Sequence, residues 1–385
     1  MAQGASLAID EALSAAFAGN PELLAVERAL GIAEGERRQA GLLPNPSLSW
    51  EVEDTRADSR TTTLGITQPI ELGGKRGARI DLAERGMDAA TLELEIKRNA
   101  LRGEVIGAFH AALRAQERVE LAERSVELAR RGLAVAEQRV GAGKLAPVEA
   151  DRAQVQLAET SLELDRARME RASAYQRLAL LMGSARPAFE QVSTEREPPP
   201  VPTPERLLAR LEDSPELRLA RVQVDQREAA LGLAKTQRIP DLDVTLGSQY
   251  SHEDRERVNV VGLSMPIPLF DRNQGNILAE ARRAEQARDL RNAAELRLRQ
   301  ETLQVLDQWR TAQREVEAFR QSILPSAQRA VERATRGFEM GKFGFIEVLD
   351  AQRTLIAMRV QYLQAQALVS DAWGRLESIY GDLSR

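Results

Sequence analysis

The chain has 385 residues, a formal net charge of −5 with acids and bases interleaved, and only 4% aromatic residues. That balance leaves no basic face for nucleic acid. The sparse aromatics and the abundance of Ala, Glu, Leu, Arg and Gln favour long helices over conventional globular cores. The absence of cysteine excludes disulfides and thiolate metal sites, and no apolar run of about eighteen residues reads as a membrane-spanning helix.

In chain order, Met1-Ala2-Gln3-Gly4 lacks a basic n-region and a long apolar h-region, so any export signal has been removed or was never there. Leu7 to Ala18 reads as a short amphipathic helix stopped at Gly19-Asn20-Pro21, and about Glu22 to Ala40 as a second, ended by Gly41 and Pro44-Asn45-Pro46. The period then changes to two. Leu48, Trp50 and Val52 alternate with Ser47, Ser49, Glu51 and Glu53; after the polar turn Thr55–Arg60, Leu64 and Ile66 alternate with Thr63, Gly65 and Thr67. The spacing predicts a β-hairpin with strands at about 46–53 and 61–68, closed by Pro69 and Gly73-Gly74.

A long helix is predicted over about 75–140. Leu101, Val105, Ala108, Ala112, Ala115, Val119, Ala122, Val126, Ala129, Leu133, Ala136 and Val140 repeat four-three without a fault, a heptad seam whose alanines bring the partner helix close. The helix breaks at Gly141-Ala142-Gly143-Lys144, and Pro147 opens another over about Val148 to Met182. Laid end to end, that helix and Glu22–Ala40 nearly match the long one, so the expected packing is one long helix against two shorter ones.

Ser184 to Pro204, with the run Pro198-Pro199-Pro200-Val201-Pro202-Thr203-Pro204, reads as an extended connector. After it the pattern repeats. Ser214-Pro215-Glu216-Leu217 echoes Asn20-Pro21-Glu22-Leu23, Pro266-Ile267 echoes Pro69-Ile70, and Gly341-Lys342 echoes Gly143-Lys144, with an offset between 194 (Asn20 to Ser214) and 198 (Gly143 to Gly341). The expected organisation is a tandem duplication, 1–183 and 205–385 joined by 184–204. Strands fall at about 241–250 and 258–265 in the second copy, and a long helix at about 276–340. Its seam slips by one residue at Pro325, where a kink is expected. Leu242, Val244 and Leu246 share one face of the third strand, whereas the fourth has apolar residues on both faces.

Strands of this length and alternation suit a crossing of the roughly 25 Å apolar band of an outer membrane. Ordinary surface hairpins are the alternative, but no other sheet exists for their apolar faces to pack on. On the membrane reading Leu48, Trp50, Val52, Leu64, Ile66, Leu242, Val244 and Leu246 face lipid. Four strands cannot close a barrel, and open edges are not tolerated in lipid. Three chains supplying twelve strands solve this; a dimer's eight strands would leave an interior filled by side chains.

The duplicated architecture resembles the TolC-like outer-membrane factors of tripartite efflux pumps and secretion systems, over essentially the whole chain. The stretches Gly41-Leu42-Leu43-Pro44-Asn45-Pro46, Gln68-Pro69-Ile70-Glu71-Leu72-Gly73-Gly74-Lys75-Arg76 and Gly341-Lys342-Phe343-Gly344-Phe345-Ile346-Glu347-Val348-Leu349-Asp350-Ala351-Gln352-Arg353 are similar to the CzcC-like branch, associated with heavy-metal cation efflux. The resemblance implies a mainly helical fold with a small β part. It further implies a homotrimer with a twelve-stranded outer-membrane barrel and a periplasmic coiled-coil tunnel, with 184–204 at its equator. The implied partners are a periplasmic adaptor and a proton-driven inner-membrane transporter. Drug efflux, protein secretion and a soluble coiled-coil scaffold are the alternatives; two apolar-faced hairpins at matching places in each repeat argue against the scaffold.

Two residue sets follow from the resemblance. Gly141, Gly143, Lys144 and Leu145 in the first helix turn, with Gly341, Lys342, Phe343 and Phe345 in the second, are the implied adaptor-contact tips. The bland alternative is that the apolar members cap the coiled-coil ends. Glu347 and Asp350, three apart and so on one helix face, are the implied acidic constriction; as plain helix-start acids they would be equally at home. Glu149 matches Glu347 in the first copy, but Arg152 replaces Asp350. No catalysis, cofactor or bound metal is expected. His110 reads as a helix-surface residue, His252 as part of a solvated loop, and Gly73-Gly74-Lys75-Arg76 lacks the phosphate-loop spacing.

Overall fold

The computed structural model describes residues 6–54, 56–193 and 199–383, without the side chains of Glu339 and Phe345. Met1–Gly4, Thr55 of the polar turn and Pro198 of the connector lie outside the described residues. In order the elements are β1 (Ser6–Leu7), α1 (Ile9–Gly19), α2 (Pro21–Ala40), β2 (Ser47–Glu53), β3 (Thr61–Ile70), α3 (Lys75–Gly141), α4 (Pro147–Leu181), β4 (Gln191–Val192), α5 (Pro204–Ala209), α6 (Pro215–Thr236), β5 (Leu242–Ser251), β6 (Glu256–Ser264), α7 (Gln274–Ala318), α8 (Leu324–Glu339) and α9 (Phe345–Tyr380). The fold is mainly helical with a small β part, and the helix–hairpin–long helix–turn–helix order occurs twice.

Two compact units form, and each draws on both halves of the chain. One comprises Met1–Ala25, Glu95–Ser214 and Arg297–Arg385; the other comprises Val26–Leu94 and Pro215–Leu296. In the first unit the α3 seam is buried from Leu101 to Ala136, apart from Ala115 and Leu133, which are partly covered. Val119, Ala122 and Ala167 close one cluster between α3 and α4, flanked by Arg118–Glu163 and Arg168–Glu123 ion pairs. Asn20 joins the two shorter helices of the first repeat. Its Oδ1 accepts from the Glu22 and Leu23 amides at the start of α2, and its Nδ2 donates to the Leu181 carbonyl at the end of α4.

The connector is more ordered than its prolines suggest. Gln191–Val192 pairs in parallel with Ser6–Leu7, so Leu7 lies in a strand and not in the first helix. The Val192 amide also donates to Gln116 Oε1 on α3.

At Pro325 the long helix of the second repeat widens instead of stopping. Phe319–Ile323 forms one π turn, with the Leu324 amide bonded to the Phe319 carbonyl five residues back. A proline cannot donate to the preceding turn, and a π turn accommodates one extra residue. This is the one-residue slip of the seam, which resumes with buried Ala327, Val331, Ala334 and Phe338.

His110 is not a surface residue; it is only 7% exposed. The α3 and α9 backbones meet at Gly103 and Gly374, where a Cβ built on Gly103 would stand 2.3 Å from the Gly374 carbonyl oxygen. That close crossing covers a second side of α3, including Ile106, Phe109 and His110. The imidazole packs against Trp373 at 5.5 Å and Phe109 at 5.8 Å, and its Nε2 has no hydrogen-bond partner. Burial, reinforced by the nearby Arg114, lowers its pKa from 6.5 to about 4. The unfolded chain therefore binds the proton first: this residue costs nothing above pH 6.5 and lowers stability progressively from there down to about 4, by about 3 kcal/mol in all. Thermal melting of purified protein from pH 7 to pH 4 should show a smaller acid loss in His110→Phe than in the wild type. Equal losses would remove His110 from the acid response.

Candidate functional site

The sheet of the second unit carries the strongest surface signal. Its strand order is β2-β3-β5-β6, all antiparallel, so the two hairpins of the two repeats join through β3 and β5. Both outer strands keep one edge unpaired among the described residues. The register places Leu48, Ile66, Leu246 and Val261 in one row, Trp50, Leu64, Ser248 and Asn259 in the next, and Val244 and Leu263 beside Gln68. Val52 and Leu242 fall on that same face by alternation. All eight residues expected to face lipid therefore share one side of the sheet. It is bare: Trp50 is 72% exposed, and Leu48, Val261 and Leu263 nearly as much.

The opposite side carries Ser47, Ser49, Glu51, Thr63, Thr67, Thr245 and Gln249, with Thr67 and Thr245 hydroxyls 2.8 Å apart. On β6 the register decides what alternation left open: Val261 and Leu263 join the apolar side, Val258 and Val260 the polar one. The apolar band also crosses the rows diagonally. Trp50 centres it on β2, and its row ends at Asn259, yet the apolar residues of β6, Val261 and Leu263, are centred three residues further along. At about 3.3 Å per residue and about 4.8 Å per strand spacing, the slope is roughly 35°, within the range of strand tilts in membrane barrels.

The two helix turns of the first unit share one backbone solution. Gly143 and Gly341 have φ of +68° and +73°, and the Lys144 and Lys342 amides bond to the carbonyls of Arg139 and Gly337 five residues back. Their apolar residues differ. Leu145 packs against a cluster of Ala136, Ala153, Ala334, Phe338, Val348 and Leu349. Phe343 remains half exposed, with its ring lying on Gly337, where a Cβ would stand 2.2 Å from Cδ2. Both thus cap the helix ends locally, while Gly141, Gly143, Lys144, Gly341 and Lys342 are exposed. The Phe345 side chain lies outside the described residues. Arg139 binds the two turns together, donating to the Phe338 carbonyl at 2.7 Å with its guanidinium 4.6 Å over the Phe338 ring.

Glu347 and Asp350 lie in the first turns of α9, both exposed. Glu347 curls back over Gly344, its Oε2 2.9 Å from where a Cβ of that glycine would be. In the first repeat Glu149 is instead neutralised by Arg152 at 2.9 Å. At the sheet end, His252 holds the two hairpins together: Arg60 Nη2 lies 2.9 Å from its Nε2, and its Nδ1 lies 3.1 Å from the Arg60 carbonyl. Among the described residues no group of three or more His, Cys, Asp or Glu is arranged to hold a metal ion.

One feature escaped sequence reasoning. Beside the π turn, Leu121, Arg124, Leu324, Pro325, Arg359 and Tyr362 line a recess of about 580 Å³. Burial and the neighbouring Arg124 push the Arg359 pKa below the ordinary arginine range. The one-residue seam slip at Pro325 was its only trace in the sequence.

The Outer membrane efflux protein family model matches residues 12–184 and 208–382, once in each repeat. The cobalt-zinc-cadmium resistance protein CzcC of Cupriavidus metallidurans is 40% identical over 97% of this chain and 90% of its own length. The nickel-cobalt-cadmium resistance protein NccC of Alcaligenes xylosoxydans xylosoxydans is 30% identical over 72% of this chain and 64% of its own length. Among solved structures, CusC superposes with a TM-score of 0.83 at 18% identity, covering 98% of this chain and 93% of that one. The outer membrane protein VceC of Vibrio cholerae gives 0.77 at 18%, covering 97% of each. The bare apolar face of the sheet, the duplicated helix–hairpin unit and these matches converge: the chain is an efflux protein of the outer membrane and belongs to the outer membrane efflux protein family.

Proposed function

We propose that the chain is one protomer of a homotrimeric exit duct that passes divalent heavy-metal cations out of the cell. A periplasmic adaptor and a proton-driven inner-membrane transporter load it, and the duct performs no catalytic step of its own. The observation that carries this reading is the four-stranded sheet with one continuous apolar face, a diagonal band and two unpaired edges. Unpaired backbone groups cost several kcal/mol each in lipid, so edges must close on other copies. Three copies give twelve strands, wide enough for a lumen lined by the Ser/Thr/Glu face. The cation cargo rests on the similarity to CzcC, whose name states cobalt, zinc and cadmium resistance.

Chemical crosslinking in mild detergent should stop at three copies, and deletion of the gene should sensitise a host carrying the cognate adaptor and transporter to zinc, cobalt or cadmium. A stable monomer with its strands formed would contradict the edge argument. Unchanged metal tolerance would contradict the cargo.

Within that duct, Glu347 and Asp350 form two acidic rings, six carboxylates around one axis, at the periplasmic constriction. Their exposure and their lack of an ion pair among the described residues support this role; in the first repeat the Glu149–Arg152 pair favours the second copy as its source. Such rings concentrate cations. Single-channel recording of the Glu347→Gln/Asp350→Asn double variant should show reduced cation preference and weaker block by multivalent cations. Wild-type selectivity and block would leave them as ordinary helix-start acids. The turns at Gly141–Leu145 and Gly341–Phe345 are the adaptor-contact tips.

A further inference from the structure

The apolar row of β6 does not end with its ladder. Ser264 is the last paired residue, opposite Asp243, yet the two-residue spacing of exposed apolar side chains runs on through Val261, Leu263, Met265, Ile267 and Leu269. Ile267 is 76% exposed, and the adjoining Phe270 is 90% exposed, an extreme value for a phenylalanine.

This segment is built, not loose. The Leu269 amide donates to the Ile267 carbonyl, Arg272 Nε to the Pro268 carbonyl at 3.2 Å, and Gln274 Nε2 to the Phe270 carbonyl at 3.1 Å. Asn273, at φ +60°, anchors it to α6 through the Ala234 carbonyl at 2.7 Å. Pro266 and Pro268 remove two backbone donors from a stretch that has no ladder to satisfy them, which lowers the cost of placing irregular backbone near hydrocarbon.

The first repeat handles the same positions oppositely. At an offset of 197 (Pro69 to Pro266), Gly73 stands where Phe270 does. Gly73 has φ +71° and lies under Ile239, whose Cδ1 would be 2.7 Å from a Cβ. Ile70 is still paired in the ladder with Leu242, and Glu71 is ion-paired with Arg79. The duplication thus tucks one copy in and projects the other.

We propose that Met265–Phe270 is a lipid-embedded hook at the periplasmic rim of the barrel, with Ile267, Leu269 and Phe270 in the periplasmic leaflet. The inference rests on the outer-membrane duct reading. It follows from continuity: on β6 proper only Val261 and Leu263 belong to the apolar face, too short a stretch for the band, and the hook lengthens it. A second copy joining the β6 edge would not cover these side chains, because face residues stand perpendicular to the direction in which strands are added.

The cysteine-free chain makes the test clean. Nitroxide labels are placed at Ile267→Cys and Phe270→Cys, with Leu246→Cys on the barrel face as reference, in vesicles of phosphatidylethanolamine and phosphatidylglycerol. Collision with oxygen should exceed collision with a water-soluble nickel chelate at both hook positions, in the same order as at Leu246. The reverse order at the hook marks solvent, and shielding from both reagents marks a second copy; either overturns the hook while Leu246 leaves the duct standing. A solvent signal at Leu246 itself overturns the duct reading first. Should the labels disturb assembly, Phe270→Trp in a Trp50→Phe background decides: relative to Trp50→Phe alone it should add fluorescence that lipids brominated on their tails quench, and added fluorescence quenched by aqueous acrylamide alone overturns the proposal.

Discussion

Valine at Gly341, or at Gly143, is expected to abolish metal efflux while the trimer and its outer-membrane insertion persist. Both glycines hold left-handed backbone, where a side chain costs about 1–2 kcal/mol per residue. Around Gly143 nothing lies within 4 Å of a built Cβ, and around Gly341 only Arg139 Nη2 does, at 4.0 Å. The added side chain thus meets no core. The penalty stays in the turn and the cluster of Ala136, Phe338 and Val348 beneath it remains packed. What changes is the outer surface: close backbone approach by an adaptor is blocked, and the turn that presents Lys144 or Lys342 is reshaped. Metal-tolerance assays paired with crosslinking to the adaptor would read this directly. Wild-type tolerance in both variants would return these turns to the role of plain caps, for which Leu145 and Phe343 already suffice.

Loss of the Glu377 carboxylate should produce the largest stability change in the first unit. Its side chain is buried and accepts from Arg102 Nε at 2.5 Å, Trp373 Nε1 at 3.0 Å and the Leu383 amide at 3.1 Å. Asp382 holds the other side of the Arg102 guanidinium at 3.1 Å. Glu377→Ala strands three donors at once, one of them charged, and a broken buried pair costs about 3–5 kcal/mol. Asp382 retains part of the arginine's pairing, which places the expectation at the lower end of that range. Glu377→Gln keeps an acceptor and the side-chain length and should lose less. Denaturant unfolding of the purified protein, with the amount recovered in outer-membrane fractions, would measure both. A loss below about 1 kcal/mol for Glu377→Ala would mean that Asp382 alone satisfies Arg102.

Much was legible in the sequence because it is local. Leu101 to Val140 repeats every seven residues, and a period that faultless specifies a helix with one buried seam whatever the partner is. Leu48, Trp50 and Val52 alternate, which specifies a strand with one apolar side, and the recurrence of Asn-Pro-Glu-Leu as Ser-Pro-Glu-Leu exposes the duplication. Local residue preferences place the acid pair at a helix start and the tip glycines in left-handed turns; their roles as constriction and adaptor tips came from the family resemblance alone.

Only tertiary structure decided the rest, and each case turns on contacts between distant parts of the chain. His110 lies on the flank of the α3 seam and reads as solvated until α9 crosses at Gly103 and Gly374, a contact about 270 residues apart in sequence that no α3 periodicity encodes. Val258–Met265 is apolar on both sides, so its facing depended on pairing with β5, which puts Val261 beside Leu246. The slip at Pro325 was visible, but whether a helix answers with a kink or a π turn depends on what packs around it, here Tyr362 against Phe319. Gly73 and Phe270 occupy matching places in two copies of one motif, and only the position of Ile239 covers the one while leaving the other bare. A pattern within one helix or strand reports which side is buried; which element buries it is set by chain closure over hundreds of residues, and that information is spread too widely for any single stretch to carry.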